Sequence, residues 1–451
     1  MRPEPKARMG HLSEARLKMV MGLIEQAPDA AVRHLQRALS ADHGHDVGLS
    51  SVQRLVEAEA ADRRTRNLVL APIAPLCAAP GPFTGLHFPP RTLSLIWKTL
   101  KAEAADDVAE AAALAEDWKP DSPTSVFDLL CARTVAGLRE REEAFAAAAA
   151  AADAGGGCET LAACLEIAEV TRRALDQMPE WLGRMTGEKA AKLRLAYRDA
   201  VGIADDAGPR FFEMLAAHLA EPWLIMRVIS GVMDRPNEAY FAGSELASFG
   251  ERVFADIDRQ LAQVAAFKPQ AGRDGAISAA RAVSVAITQI TEIEQSIALA
   301  PEGAWGKRLA HQRKTLATSI EVHLRAVDAS LNQALPLQIL RLGPRSSRGV
   351  PKLTNDPDAG AIERAATLLV FVNEVRPSAA AGGFASARAK VLEAMEARLD
   401  SYVEDILEEI RGGECADLER AKTFLEIAAD FCGLSRDEKA AQIVRRRAAA
   451  A

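Results

Sequence analysis

Few residues in this chain are spaced for chemistry. The densest set lies in Ala41–Asp46, where His43, His45 and Asp46 cluster around Gly44. Imidazole nitrogens and a carboxylate suit zinc or nickel. Alternate residues around a glycine seldom close a tetrahedral site alone, and no His, Cys or Asp motif elsewhere completes it. The tract therefore reads as a polar loop between helices, with these three residues as the metal candidates.

Two basic clusters come next. Arg341, Arg345, Arg348 and Lys352 are interleaved with Ser346, Ser347 and Gly349. Guanidinium forks and free backbone N–H groups hold phosphate, and the serines offer sites for phosphorylation. The tract has no aromatic residue to stack a base and no Walker pattern. It reads as a solvated linker, with an anion or partner contact as the alternative. Arg445, Arg446 and Arg447 close the last helical stretch, where cations complement the negative end of the dipole. The alternative there is a contact with nucleic acid, anionic lipid or an acidic partner. Asn355–Asp358 lacks the EF-hand ligand series and reads as a cap before a helix.

Trp223–Met233 is apolar nearly all round, so it must be buried on several sides or cover a partner. Central core is the preferred reading. An interface built on Trp223, Met226 and Met233 is the other, since methionine adapts to irregular surfaces. No nucleophile elbow, dinucleotide-binding glycine pattern or His-Glu-x-x-His occurs. A catalytic site assembled from distant residues stays open. No cofactor is expected.

These residues must be positioned by the rest of the chain, whose composition is unusual. Alanine makes up about a fifth of the 451 residues and aromatics only 5%. That disfavours a large β-protein, which would want more β-branched and aromatic side chains. The net charge of −7 gives no global attraction to nucleic acid or anionic lipid. None of the six cysteines forms a C-x-x-C pair, so reduced thiols are expected. The first residues lack an apolar signal-peptide core, and no apolar run is long enough to span a bilayer. These absences favour a cytoplasmic protein.

Periodicity supplies the elements. Leu246, Phe249, Val253, Ile257, Leu261 and Val264 recur at spacings of three and four. So do Val283, Ile287, Ile290, Ile293 and Ile297, and then Leu316, Ile320, Leu324, Val327, Leu331 and Leu335. Each set lines one face of a helix that must be buried, and the spacing resembles short heptads. The expected fold is all-α, a multi-helix bundle or extended helical array with long amphipathic helices. Residues 1–143 read as an N-terminal helical segment with a packed proline-rich connector near Ala71–Pro90. Ala144–Gly157 reads as a helix end and a segment boundary. Residues 158–340 read as a central long-helix bundle, 341–358 as a basic Gly/Pro/Ser hinge, and 359–451 as a four-helix unit. Capping boxes are expected at Ser50/Gln53 and Ser435/Glu438.

The function this pattern favours is a non-enzymatic helical adaptor or scaffold that binds another protein through helix faces or grooves. Self-association fits the same faces. A regulatory or nucleic-acid-associated protein using the basic segments, or an all-α enzyme, are the alternatives.

Overall fold

A helix in water is sustained mainly by burying one apolar face. In the computed structural model every residue of the three central stripes is buried. The structure describes residues 14–41, 47–81, 83–119, 122–204, 206–343, 346–413 and 415–451. Among them are twenty α-helices and one two-stranded hairpin, so the protein is an all-α array of many helices. No described helix is long and apolar enough to cross a membrane.

The chain divides into two units, residues 1–234 and 235–451. The first holds α1 (Glu14–Gln26), α2 (Asp29–Ala41), α3 (Val47–Val69), α4 (Arg91–Glu103), α5 (Ala105–Glu116) and α6 (Ser125–Arg139). It continues with α7 (Ala146–Asp153), α8 (Cys158–Glu166), α9 (Ala168–Leu182), α10 (Gly187–Ile203), α11 (Ala207–Ala217) and α12 (Ile225–Val232). The second unit holds α13 (Glu238–Ala242), α14 (Ala247–Ala266), α15 (Gly272–Ser296) and α16 (Ala304–Ala334). Next come β1 (Leu337–Gly343) and β2 (Ser346–Pro351), then α17 (Ala359–Glu374), α18 (Ala385–Arg411), α19 (Leu418–Ser435) and α20 (Glu438–Ala450).

The division between Asp234 and Arg235 falls inside the stretch expected to be one central bundle. The Ala/Gly tract, expected as a boundary, is instead packed within the first unit. Ala148, Ala151 and Ala152 are buried, and Gly156 donates its N–H to His87 O at 2.9 Å. A Cβ at Gly156 would sit 2.5 Å from Leu86 Cδ1 and 2.9 Å from Phe88 Cε1. The proline-rich connector is packed as expected, with Leu76, Phe83 and Phe88 buried. Gly156→Ala should therefore destabilise the first unit by about 1–3 kcal/mol through overpacking. Urea unfolding measures this; an unchanged midpoint would mean the connector yields without cost.

Two expected capping boxes do not form. Helix α3 starts at Val47, so Ser50 lies inside it and the Gln53 side chain donates to Glu57 Oε1 at 2.9 Å. Helix α19 runs through Ser435, and Asp437 caps α20 by accepting from the Ala440 N–H at 2.9 Å. In the first place the helix begins earlier than assumed; in the second α19 runs on and α20 begins later, at Glu438.

Several helix ends are finished by charged side chains from elsewhere. The last carbonyls of a helix lack intrahelical partners and carry its negative pole. Buried Arg172 on α9 donates to Leu68 O at 2.6 Å and Val69 O at 2.8 Å, at the end of α3. Arg388 on α18 donates to Val372 O in the last turn of α17 at 2.7 Å. Arg398 donates to Leu335 O just beyond α16 at 3.1 Å. At the opposite pole, buried Glu238 accepts from the N–H groups of Trp305 at 2.8 Å, Ala300 at 3.0 Å and Gly306 at 3.3 Å. That carboxylate stands at the start of α16, where anions are favoured.

Candidate protein-interaction surfaces

The first surface is built by α1, α2 and α3. Its core is small: Ile24, Val32, Val56 and Ala60, backed by Val20, Ala27, Leu39, Val52 and Leu55. Arg63 on α3 supplies the polar fastening. It is 7% exposed and donates to Ile24 O at 2.8 Å, Glu25 O at 3.0 Å and Ala27 O at 2.7 Å, the last carbonyls of α1 and its connection. The same guanidinium pairs with Asp29 at 2.8 Å and Glu59 at 2.6 Å. Burial works against ionisation of Asp29. Hydrogen bonds from Asn67 and Arg66 and the charges of Arg66 and Arg63 outweigh it and hold the carboxyl below its ordinary 3.8.

This fastening leaves a groove of 270 Å³ lined by Val20, Leu23, Ile24, Val32, Leu35 and Val52, among others. Its walls are almost wholly apolar. Met19, Met21, Leu23 and Leu35 are exposed, at 69%, 47%, 60% and 42%. Arg16 lies four residues before Val20 and seven before Leu23, on the same face of α1, and is exposed. Among the described residues it has no carboxylate partner. Sequence reasoning passed over this surface. The run Leu17–Ile24, apolar on most sides of a short helix, was its signal.

The second surface is the hairpin β1–β2, which occupies much of the segment expected as a hinge. Strand pairing is antiparallel, with Leu337 opposite Pro351 and Ile339 opposite Gly349. The Lys352 N–H donates to Pro336 O at 2.9 Å, which sets the phase of the ladder. Hydrogen-bonded pairs alternate along an antiparallel ribbon. Gln338/Val350 and Leu340/Arg348 are therefore the bonded pairs. Leu337 and Ile339 turn their N–H and C=O groups outward, away from β2. On the other edge Pro351 has no N–H to offer. Gly349 has no side chain to cover its neighbour, and Ile339 is 75% exposed.

The expected site residues fall as follows. His43, His45 and Asp46 lie outside the described residues, as does Arg345; Arg341 is in β1, but its side chain is not described. Arg348 pairs with Asp405 on α18, and Lys352 is exposed. Arg445 is bound to three carboxylates: Glu426 at 2.5 Å, Asp430 at 2.5 Å and Glu438 at 3.0 Å. Arg447 pairs with Glu404 at 2.6 Å and holds that carboxyl below its usual range. Arg446 bonds only Gln442 O among the described residues, at 3.2 Å. Two of the three C-terminal arginines thus join α20 to α18 and α19. Met226 is buried and Trp223 and Met233 are half-buried, because α12 packs against α9, α10 and α11. The apolar run thus packs in part inside the first unit, with Trp223 and Met233 left half-buried.

A hollow of 250 Å³ between α3, α4 and α5 is walled by four alanines, Trp97 and Val108 together with polar Asp62, Arg64, Thr65 and Glu116. Its Asp62 carboxylate already accepts from Trp97 Nε1 at 3.0 Å and Lys101 Nζ at 2.9 Å. None of the five tryptophans is exposed: Trp97, Trp181 and Trp305 are buried, and Trp118 and Trp223 half-buried. No family model, curated protein or solved structure matches the chain.

Proposed function

We propose that the chain is a non-enzymatic helical adaptor or scaffold. Its partner protein lays the apolar face of an amphipathic helix in the groove between α1, α2 and α3. The observation that carries this reading is the groove itself, open, almost wholly apolar and lined in part by exposed Leu23 and Leu35. Apolar ridges at spacings of three and four accept the ridge of another helix. Arg16 on the groove face of α1 calls for a carboxylate on the partner, beside its apolar stripe. The groove's exposed anchors are Leu23 and Leu35, and no tryptophan lines it.

Leu23→Glu and Leu35→Glu should leave stability within about 0.5 kcal/mol, because both side chains are exposed. Each should abolish partner capture. A photo-crosslinking side chain at Leu35, which lines the groove, tests this in the native cell. The expected product is a cross-link to a helical segment of one other protein, lost in Leu23→Glu. A cross-link pattern unaltered by Leu23→Glu, or confined to copies of this chain, would sink the reading.

A further inference from the structure

We infer that the hairpin is a second docking site, independent of the groove, which takes an extended acidic segment of another protein as a third strand on the outer edge of β1. Three observations converge on this. The backbone N–H and C=O groups of Leu337 and Ile339 face outward, and no hydrogen bond engages them among the described residues. Unpaired strand edges of this kind are templates for adding a strand. The other edge is closed to the same use, since Pro351 lacks the donor and β2 lies against α18.

The second observation is apolar. Leu337 and Ile339 share one face of β1 by alternation, at 39% and 75% exposure, and Gly349 opposite leaves Ile339 uncovered. A β-branched side chain on an added strand would pack there. The third is charge. Residues 336–355 carry Arg341, Arg345, Arg348 and Lys352 and no acidic residue, in a chain of net charge −7. Of the two whose side chains are described, Arg348 pairs with Asp405 on α18, and Lys352 is exposed with no carboxylate partner among the described residues. A segment alternating β-branched and acidic residues answers all three features. A nucleic acid would use the cations but neither the outward N–H groups nor the apolar face.

The phase of the ladder supplies a selective variant. Ile339→Pro removes an outward N–H and leaves every β1–β2 hydrogen bond in place. Ile339→Thr keeps that N–H and serves as its control. The probe is a displayed library of random peptides of roughly ten residues, long enough for one strand, selected on the full chain. Expected winners alternate Val, Ile or Thr with Asp or Glu. They bind Ile339→Pro about tenfold or more weakly and Ile339→Thr nearly as well as the parent. Their affinity should fall several-fold from low to high salt. N-methylation of alternate amides in a winning peptide should abolish binding in one of its two phases only, which tests strand addition without altering the protein. No enrichment, or winners indifferent to both Ile339→Pro and N-methylation, would overturn the inference. So would an oligonucleotide that competes with the winners and binds Ile339→Pro as tightly as the parent. Dimerisation of the chain that Ile339→Pro abolishes would assign the edge to a second copy instead. Leu23→Glu leaves all these results unchanged, so failure here and failure of the groove are separable.

Discussion

Replacing Arg63 with methionine is expected to release α1 and α2 from α3 while the rest of the first unit stays folded. The side chain makes five polar contacts, three of them to main-chain carbonyls at the end of α1. Methionine fills much of the volume but leaves those carbonyls and the Glu59 carboxylate without their donor. Breaking a buried, fully bonded charge costs about 3–5 kcal/mol. The local core it supports contains only Ile24, Val32, Val56 and Ala60 as buried residues. That core and the half-buried Val20, Ala27, Leu39, Val52 and Leu55 around it are thin, so a loss of this size is expected to detach the helices locally. Amide exchange should show loss of protection in α1 and α2 and none in α8 or α9. Capture of the groove partner should vanish with it. Lysine should not rescue, because one ammonium cannot address a fork of carbonyls and carboxylates. Retained protection in α1 would show that apolar contact alone holds the groove together.

Acid should loosen the same corner. The Asp29 carboxyl is held below its ordinary value, so its contribution is present at neutral pH. It is lost as the pH falls through the lowered folded value, below 3.8. Protection of α1 and α2 should fall in that range before the rest of the unit responds.

In the second unit, Glu238→Ala should have the largest effect. The carboxylate accepts three main-chain N–H groups at the start of α16. Removing it strands three donors beside buried Trp305, whose ring lies 5.4 Å from Phe241 and 5.3 Å from Phe254. An unsatisfied buried donor costs about 1–3 kcal/mol, and the helix N-terminus also loses its anion. With the Trp305 N–H the most buried of the three, a total of about 2–4 kcal/mol is expected. Glu238→Gln keeps one acceptor oxygen and should cost less. Gly303→Ala should act in the same direction, since a Cβ there would collide with the Glu238 carboxylate. Urea unfolding read by exchange at Trp305 and Gly306 measures each; an unshifted midpoint in Glu238→Ala would refute the capping role.

Much of the second unit is legible from sequence, and the reason is local. The stripes from Leu246, Val283 and Leu316 repeat within one helix, so each buried face can be read without knowing its neighbour. The final four helices follow from the same periodicity, bounded by Pro and Gly. The hairpin escaped because its strand alternation is masked: Ile339 and Leu340 are adjacent apolar residues, and Gly343, Ser346 and Pro351 carry loop composition. Strand character there depends on the β1–β2 ladder and on Asp405 from α18. Arg63 and Glu238 were equally unreadable. Their partners lie 34–39 and 62–68 residues away, apart from Glu59, and most are main-chain atoms that leave no mark on residue type.

By itself, the amino-acid sequence determined that this protein is helical, where most helices run and which faces they bury, because helix periodicity is written residue by residue. Tertiary structure decided which charges finish helices and which remain free, placing Arg445 among three carboxylates and Arg63 under α1. It also decided which apolar residues stay uncovered, burying Met226 and leaving Leu23 and Ile339 in solvent. Both outcomes depend on distances between atoms far apart in the chain, which no local pattern records.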